Sequence, residues 1–185
     1  MKTESELIER ILAGEWRNYA ILVDKYERKV FNYVNYLMGN REDAEEVTQD
    51  TFTKAYQSLA QFRGEAAFST WLLRIAHFKC LTIFRKKNYP HVDIESAYSL
   101  EASNSIDPSS ELQQTDKSYV LGRALDQLGS DERAVITLFY YQDLSIKEII
   151  DVTEFKESNV KIHLHRGRKK LFDILSKMGI KEFTL

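Results

Sequence analysis

Both prolines of this 185-residue chain, Pro90 and Pro108, fall in one stretch, residues 88–110. Proline removes a backbone donor and breaks helix interiors, so the long flanking segments are free to be helical. Glycine, at 7 residues, is low for a fold built on tight β-turns. From Asn88 to Asp116 there is no Lys or Arg, while Asp93, Glu95, Glu101, Asp107, Glu111 and Asp116 lie there, with a Ser/Asn-rich run from Ser99 to Ser110. Such a segment reads as an acidic linker. The expected architecture is all-α: a helical domain over 1–87, a flexible linker over 88–110, and a second helical domain over 111–185.

Apolar spacing supports this reading. Thr3-x-x-Glu6 has the form of a capping box. Trp16, Tyr19, Ala20, Val23, Tyr26, Val30, Phe31, Val34 and Leu37 recur at helical spacing over 15–38. Gly39-Asn40 suits the end of that helix and the start of the next. A helix over 41–59 is expected to bury Ala44, Phe52, Ala55, Tyr56 and Leu59, with Glu46, Gln49, Asp50 and Thr53 on its polar side. A helix over 67–87 follows. Beyond the linker, helices are expected near 110–128, 131–141, 145–152 and 157–176, with starts at Asp107-Pro108, Ser130-Asp131 and the capping box Ser145-x-x-Glu148.

Composition excludes several classes. The chain is 43% hydrophobic and 29% charged, ordinary for a soluble protein. No run of about 18 apolar residues suggests a membrane span, and Met1 to Glu6 holds no apolar signal core. One cysteine, Cys80, allows no internal disulfide and reads as a core residue in an apolar helix. A cytoplasmic location is expected. His163-x-His165 points its rings about 200° apart on a helix, which disfavours a shared metal. No catalytic motif, metal site or cofactor loop is present, so neither an enzyme nor a small-molecule substrate is expected. The net charge of −2 argues against nucleic acid, but its distribution argues for it. From Ser158 to Phe172 there is no acid, while Lys161, Arg166, Arg168, Lys169 and Lys170 occur.

Two segments carry the chemistry. Ile146, Ile149, Ile150, Phe155, Val160 and Leu164 are spaced to fill the corner of a helix-turn-helix. Its second helix would then present Glu157, Ser158, Lys161, Ile162, His165 and Arg166 on one side, a form suited to the major groove. The plainer reading is a helical hairpin with a solvated basic face. In residues 62–87, Arg63, Arg74, Lys79 and Arg85 interleave with aromatics, which suits single-stranded DNA. Here the plainer reading is the stronger one, since Phe62, Phe68 and Trp71 more often belong to a core.

The run Glu42-Asp43-Ala44-Glu45-Glu46-Val47-Thr48-Gln49-Asp50-Thr51-Phe52 is followed by Phe62-Arg63-Gly64, Phe68-Ser69-Thr70-Trp71-Leu72, Arg74-Ile75-Ala76 and Arg85-Lys86-Lys87. Together these resemble conserved region 2 of sigma-70-family sigma factors. Asn159-Val160-Lys161, Leu164-His165-Arg166 and Arg168-Lys169-Lys170-Leu171 resemble region 4. A linker too short for a region 3 domain makes the combination similar to the extracytoplasmic-function (ECF) group. The resemblance implies a promoter-specificity subunit of bacterial RNA polymerase. It implies docking of Asp43, Glu46, Gln49, Asp50 and Thr53 on the β′ coiled coil of core polymerase. Capture of the minus-ten element would fall to the loop near 60–67 and the helix after it, through Arg63, Arg74, Lys79, Arg85, Lys86 and Lys87. Reading of the minus-thirty-five element would fall to Ser158, Asn159, Lys161, Ile162, His165 and Arg166. It further implies contact with the β flap from helices 131–152, and restraint by an anti-sigma factor. The alternative is a stand-alone helix-turn-helix regulator.

Some positions depart from the family pattern. Phe78 and Thr82 stand where many relatives carry Asn and Asp, and Lys156 where a Ser or Thr usually caps the recognition helix. Ile162 replaces a commonly small polar residue. Two promoter elements two helical turns apart lie about 70 Å apart. A 23-residue linker reaches roughly 75–80 Å when extended, so an extended linker is expected on DNA.

Overall fold

The structure, a computed structural model, describes residues 3–86 and 115–178. Among them are eight α-helices, two short 3₁₀ turns and no strand. The linker predicted over 88–110, the helix start at Asp107-Pro108 and the side chains of Lys86 and Lys87 lie outside the described residues.

The N-terminal half holds α1 (Glu4–Leu12), α2 (Tyr19–Met38), α3 (Arg41–Gln57) and α4 (Phe68–Lys86). The Thr3–Glu6 capping box opens α1: the Thr3 N–H donates to Glu6 Oε2 at 3.0 Å and the Thr3 hydroxyl accepts from the Glu6 N–H. Leu7, Ile8 and Ile11 turn inward. Helix α2 ends at Gly39, whose φ of 65° is the left-handed conformation glycine adopts freely. Asn40 then caps α3 by accepting from the Asp43 N–H at 3.0 Å. The four helices bury Leu22, Val30, Tyr33, Val34, Val47, Ala55, Phe68, Leu72 and Leu73 in one core. Cys80 is fully buried there, and burial pushes its thiol up to about 12.

Three apolar assignments do not hold, one of them Ala20, which is exposed in the first turn of α2. Trp16 is 60% exposed, because residues 16–18 form a separate 3₁₀ turn that breaks the helical phase before α2 begins. Tyr56 is 46% exposed, stacked edge-on against Tyr19 at 5.0 Å rather than packed in the core. Helix α3 also ends at Gln57, and a 3₁₀ turn over Leu59–Gln61 delivers Leu59 to the core.

The C-terminal half holds α5 (Thr115–Asp126), α6 (Ser130–Tyr140), α7 (Ile146–Thr153) and α8 (Glu157–Lys177). Helix α6 starts at Ser130, one residue earlier than expected, with the Gly129 N–H donating to Glu132 Oε2. Glu132 is buried and binds Lys170 Nζ at 2.8 Å, tying α6 to α8. A Cβ at position 167 would lie 2.7 Å from Ile136 Cγ1, so these helices approach as they do only because residue 167 is glycine. Ser145 and Glu148 form the predicted capping box of α7.

The two halves pack on each other, α4 against α7 and α2 against α5 and α6. Lys29 donates to the Gln142 carbonyl at 3.4 Å, Arg133 to the Leu37 carbonyl at 3.4 Å, and the rings of Tyr36 and Tyr141 lie 4.9 Å apart.

Candidate nucleic-acid interface

Helix α7, its turn and α8 form the predicted helix-turn-helix. Ile149 and Val160 are fully buried and Leu164 nearly so, while Ile146, Ile150 and Phe155 are half-buried around them. With one side of α8 fixed in this corner, Ser158, Asn159, Lys161, Ile162, His165 and Arg166 are all exposed. Ile162 is 45% exposed, an apolar side chain in a polar face, as a contact for a thymine methyl requires. Lys156 occupies the N-cap position without a side-chain cap bond. Glu157 in the first turn complements the helix dipole and binds Lys161 at 2.6 Å. His163 is half-buried against Phe155 while His165 points outward, so the two rings do diverge.

In the second segment, Phe68 is core. Phe62 and Trp71 are half-buried around it with ring separations of 5.3–5.5 Å. The core reading therefore holds for Phe68, and Phe62 and Trp71 form a partly open aromatic shelf. Arg63 is exposed on the adjoining loop, with Glu65 3.9 Å away. Arg85 is exposed near the end of α4. Arg74 and Lys79 are engaged. Lys79 Nζ binds Asp50 Oδ2 at 2.7 Å, pairing a residue expected at DNA with one expected at polymerase. Arg74 lies over the Phe78 ring and reaches the C-terminal half.

The polar side of α3 splits in two. Gln49 and Thr53 line a groove between α2 and α3 of about 920 Å³, whereas Asp43, Glu46 and Asp50 are not among its lining residues. The groove's apolar lining is Tyr19, Val23, Phe31, Phe52 and Tyr56, with Glu27, Arg28, Arg41 and Glu45 around it. The Tyr19 hydroxyl donates to the Phe52 carbonyl at 2.7 Å, and burial pushes its phenol up to about 12. An apolar trough with charged edges is the form that accepts an amphipathic helix. In the sequence these five residues share the spacing of a core stripe and so read as core. The signal present was a second apolar pair at i, i+4, Phe52 and Tyr56, to one side of Ala44 and Ala55.

Among the described residues no cluster of ligating side chains could hold a metal, and no helix is long and apolar enough to cross a membrane.

A family model described as Sigma-70 region 2 matches residues 22–89, and one described as Sigma-70, region 4 matches residues 119–171. The chain is similar to the RNA polymerase sigma factor YlaC of Bacillus subtilis, 32% identical over 151 residues, covering 81% of this chain and 87% of that one. It is similar to the ECF RNA polymerase sigma factor SigW of the same organism, 30% identical over 172 residues, covering 89% and 92%. In fold it is similar to the sigma factor RpoE of Bartonella quintana, solved in complex with the anti-sigma factor NepR. The TM-score there is 0.67, with 21% identity, 86% of this chain and 98% of that chain.

Proposed function

The chain belongs to the extracytoplasmic-function group of the sigma-70 family, promoter-specific initiation factors of RNA polymerase, and from that premise we propose how its surfaces divide the work. Residues 1–87 serve as region 2 and 111–185 as region 4, joined by 88–110. Helix α8 enters the major groove of the minus-thirty-five element, with Ser158, Asn159, Lys161, Ile162, His165 and Arg166 toward bases and phosphates. The observation that carries this reading is that all six are exposed on a helix whose other side is locked by Val160 and Leu164.

The minus-ten element goes to α4 and its preceding loop. Taking a base out of the duplex costs a few kcal/mol, and stacking it on a ring returns about 1–3 kcal/mol. The shelf of Phe62 and Trp71 supplies rings, and Arg63, Arg74, Lys79, Arg85, Lys86 and Lys87 supply phosphate contacts. Near balance between the two terms lets polymerase decide the outcome.

Core polymerase docks through the β′ coiled coil on α3. Gln49 and Thr53 join the acidic stripe of Asp43, Glu46 and Asp50 to the α2/α3 groove, so a helical partner would meet both surfaces. Apolar residues of α6 and α7 face the β flap. An anti-sigma factor restrains the chain, as NepR partners the RpoE of similar fold. The chain acts in the cytoplasm as a regulatory subunit, without catalysis, cofactor, metal or small-molecule substrate of its own. The stand-alone regulator is disfavoured, since it leaves the N-terminal match over 22–89 without a role.

The test is transcription from a genomic fragment library by core polymerase with and without the purified chain. Discrete starts sharing two upstream motifs, lost with Thr53→Arg while circular dichroism is unchanged, are expected. Folded protein that never binds core polymerase would overturn the proposal.

A further inference from the structure

Arg74 belongs to the N-terminal half, yet its guanidinium sits at the end of a helix in the C-terminal half. Nη1 donates to the Asp151 carbonyl at 2.9 Å, and Nη2 pairs with the Glu154 carboxylate. Asp151 lies in the last turn of α7, where carbonyls lack intrahelical partners and a cation complements the dipole. Glu154 follows that helix at φ 62°, in the left-handed region that favours glycine. A carboxylate therefore stands where the backbone alone would select glycine, and it faces the arginine across the domain boundary. His77, one turn further along α4, meets the Phe155 ring edge-on in the same contact.

We infer that Arg74 is the catch of an autoinhibited closed state, in which α7 covers the face of α4 that would otherwise receive single-stranded promoter DNA. This rests on the region 2 reading above. The exclusion is competitive: the guanidinium that binds Asp151 and Glu154 must leave them before it can bind a phosphate. A chain with α4 against α7 also cannot reach two DNA elements about 70 Å apart. The closed state leaves the α2/α3 groove and the outer face of α8 uncovered. Polymerase can thus engage the closed chain, and opening follows.

The test uses the full chain with dyes on cysteines introduced at exposed Lys54 and Lys177. Cys80 is buried and does not compete for label. Two variants remove the catch. Glu154→Lys reverses its charge, and Glu154→Gly removes the carboxylate while relieving the left-handed backbone, so folding is preserved. Asp173→Asn makes the same change of net charge as Glu154→Gly at an exposed position on α8 away from the interface. The expected result is a high-transfer wild type and a two- to five-fold shift toward the open form in Glu154→Gly, the range of a partly exposed ion pair, with a larger shift in Glu154→Lys. A fluorescent single-stranded oligodeoxynucleotide of mixed sequence binds more tightly in proportion, and Asp173→Asn matches wild type in both readouts. Energy transfer unchanged by both Glu154 variants overturns the catch. Opening without any gain in oligonucleotide binding leaves the closed state standing but overturns its role in masking α4, and with it the region 2 reading of that helix. A gain equalled by Asp173→Asn assigns the effect to net charge and overturns the masking as well.

Discussion

Helices α8 and α4 are both basic, both amphipathic and both proposed to meet DNA, yet the structure leaves them in opposite conditions. On α8, two of the three basic residues among the proposed DNA-facing six, His165 and Arg166, have no ion-pair partner among the described residues; Lys161 has one in Glu157, one turn away. On α4, Arg74 is bound to Asp151 and Glu154 and Lys79 to Asp50. The difference lies in what anchors each helix. Helix α8 is held by its own domain through Val160, Leu164, Gly167 and Leu171, so its outer face is complete without help. Helix α4 has two working sides, one in the N-terminal core and one against α7, and its cations must exchange partners before they can act. A surface of the first kind reads DNA whenever it meets it, and one of the second kind can be held in reserve.

The largest effect should come from removing the anchor of α8. Leu164 is 4% exposed in the helix-turn-helix corner, and Leu→Ala at such a site costs about 2–5 kcal/mol. Leu164→Ala is expected to lower the urea midpoint and abolish the minus-thirty-five footprint. Core polymerase binding through the N-terminal half should survive. Loss of both together would show that the halves do not fold independently, and the contrast between them would have to be redrawn.

Acid should act on the other side of the contrast. His77 is buried in α4, with Nδ1 2.8 Å from the Tyr33 hydroxyl, and burial pushes it down to about 4 from 6.5. Between those values the unfolded chain binds a proton that the folded chain refuses. The stability from burying a neutral ring is therefore complete above pH 6.5 and lost as pH falls toward 4, by on the order of 3 kcal/mol. Denaturation series across that window should slope for wild type and flatten for His77→Gln. Parallel slopes would mean that other groups carry the acid response.

A smaller and more selective effect is expected at Arg166. If it reads a guanine edge, Arg166→Ala costs about 1–3 kcal/mol at one promoter position. If the exposed Lys169 further along α8 meets only phosphate, Lys169→Ala should instead weaken all promoters alike and lower the salt slope by about one. Start-site mapping over a library of minus-thirty-five variants separates the two patterns. Uniform loss with Arg166→Ala would make it a backbone contact.

Much of this was legible in the chain because it is local. The capping boxes at Thr3 and Ser145, the Gly39-Asn40 junction and the corner filled by Ile149, Val160 and Leu164 all depend on residues a few positions apart. What was not legible depends on where helices diverge or meet. Tyr19, Val23, Phe31 and Phe52 have core spacing, and only the splay of α2 from α3 makes them a groove. Trp16 left its predicted stripe because a 3₁₀ turn reset the phase. The partners of Arg74 lie 77 and 80 residues away, beyond the linker, and no pattern within α4 points to them.

The last prediction returns to α8, at the one local rule it breaks. Lys156 has extended N-cap geometry, φ −65° and ψ 147°, but its side chain cannot accept from the first free N–H groups of the helix. Lys156→Ser is expected to add about 0.5–2 kcal/mol of stability through that cap, read as a rise in thermal midpoint. It also removes a cation beside the proposed DNA face, so promoter affinity should fall or stay level while stability rises. That opposition is the diagnostic. If Lys156 serves DNA, the stabilised variant initiates less well at low salt, and the deficit narrows as salt rises because one lost phosphate contact makes the salt dependence shallower. If initiation instead improves with stability, the uncapped turn was limiting α8, and the claim that its outer face is complete as folded would fail at this end.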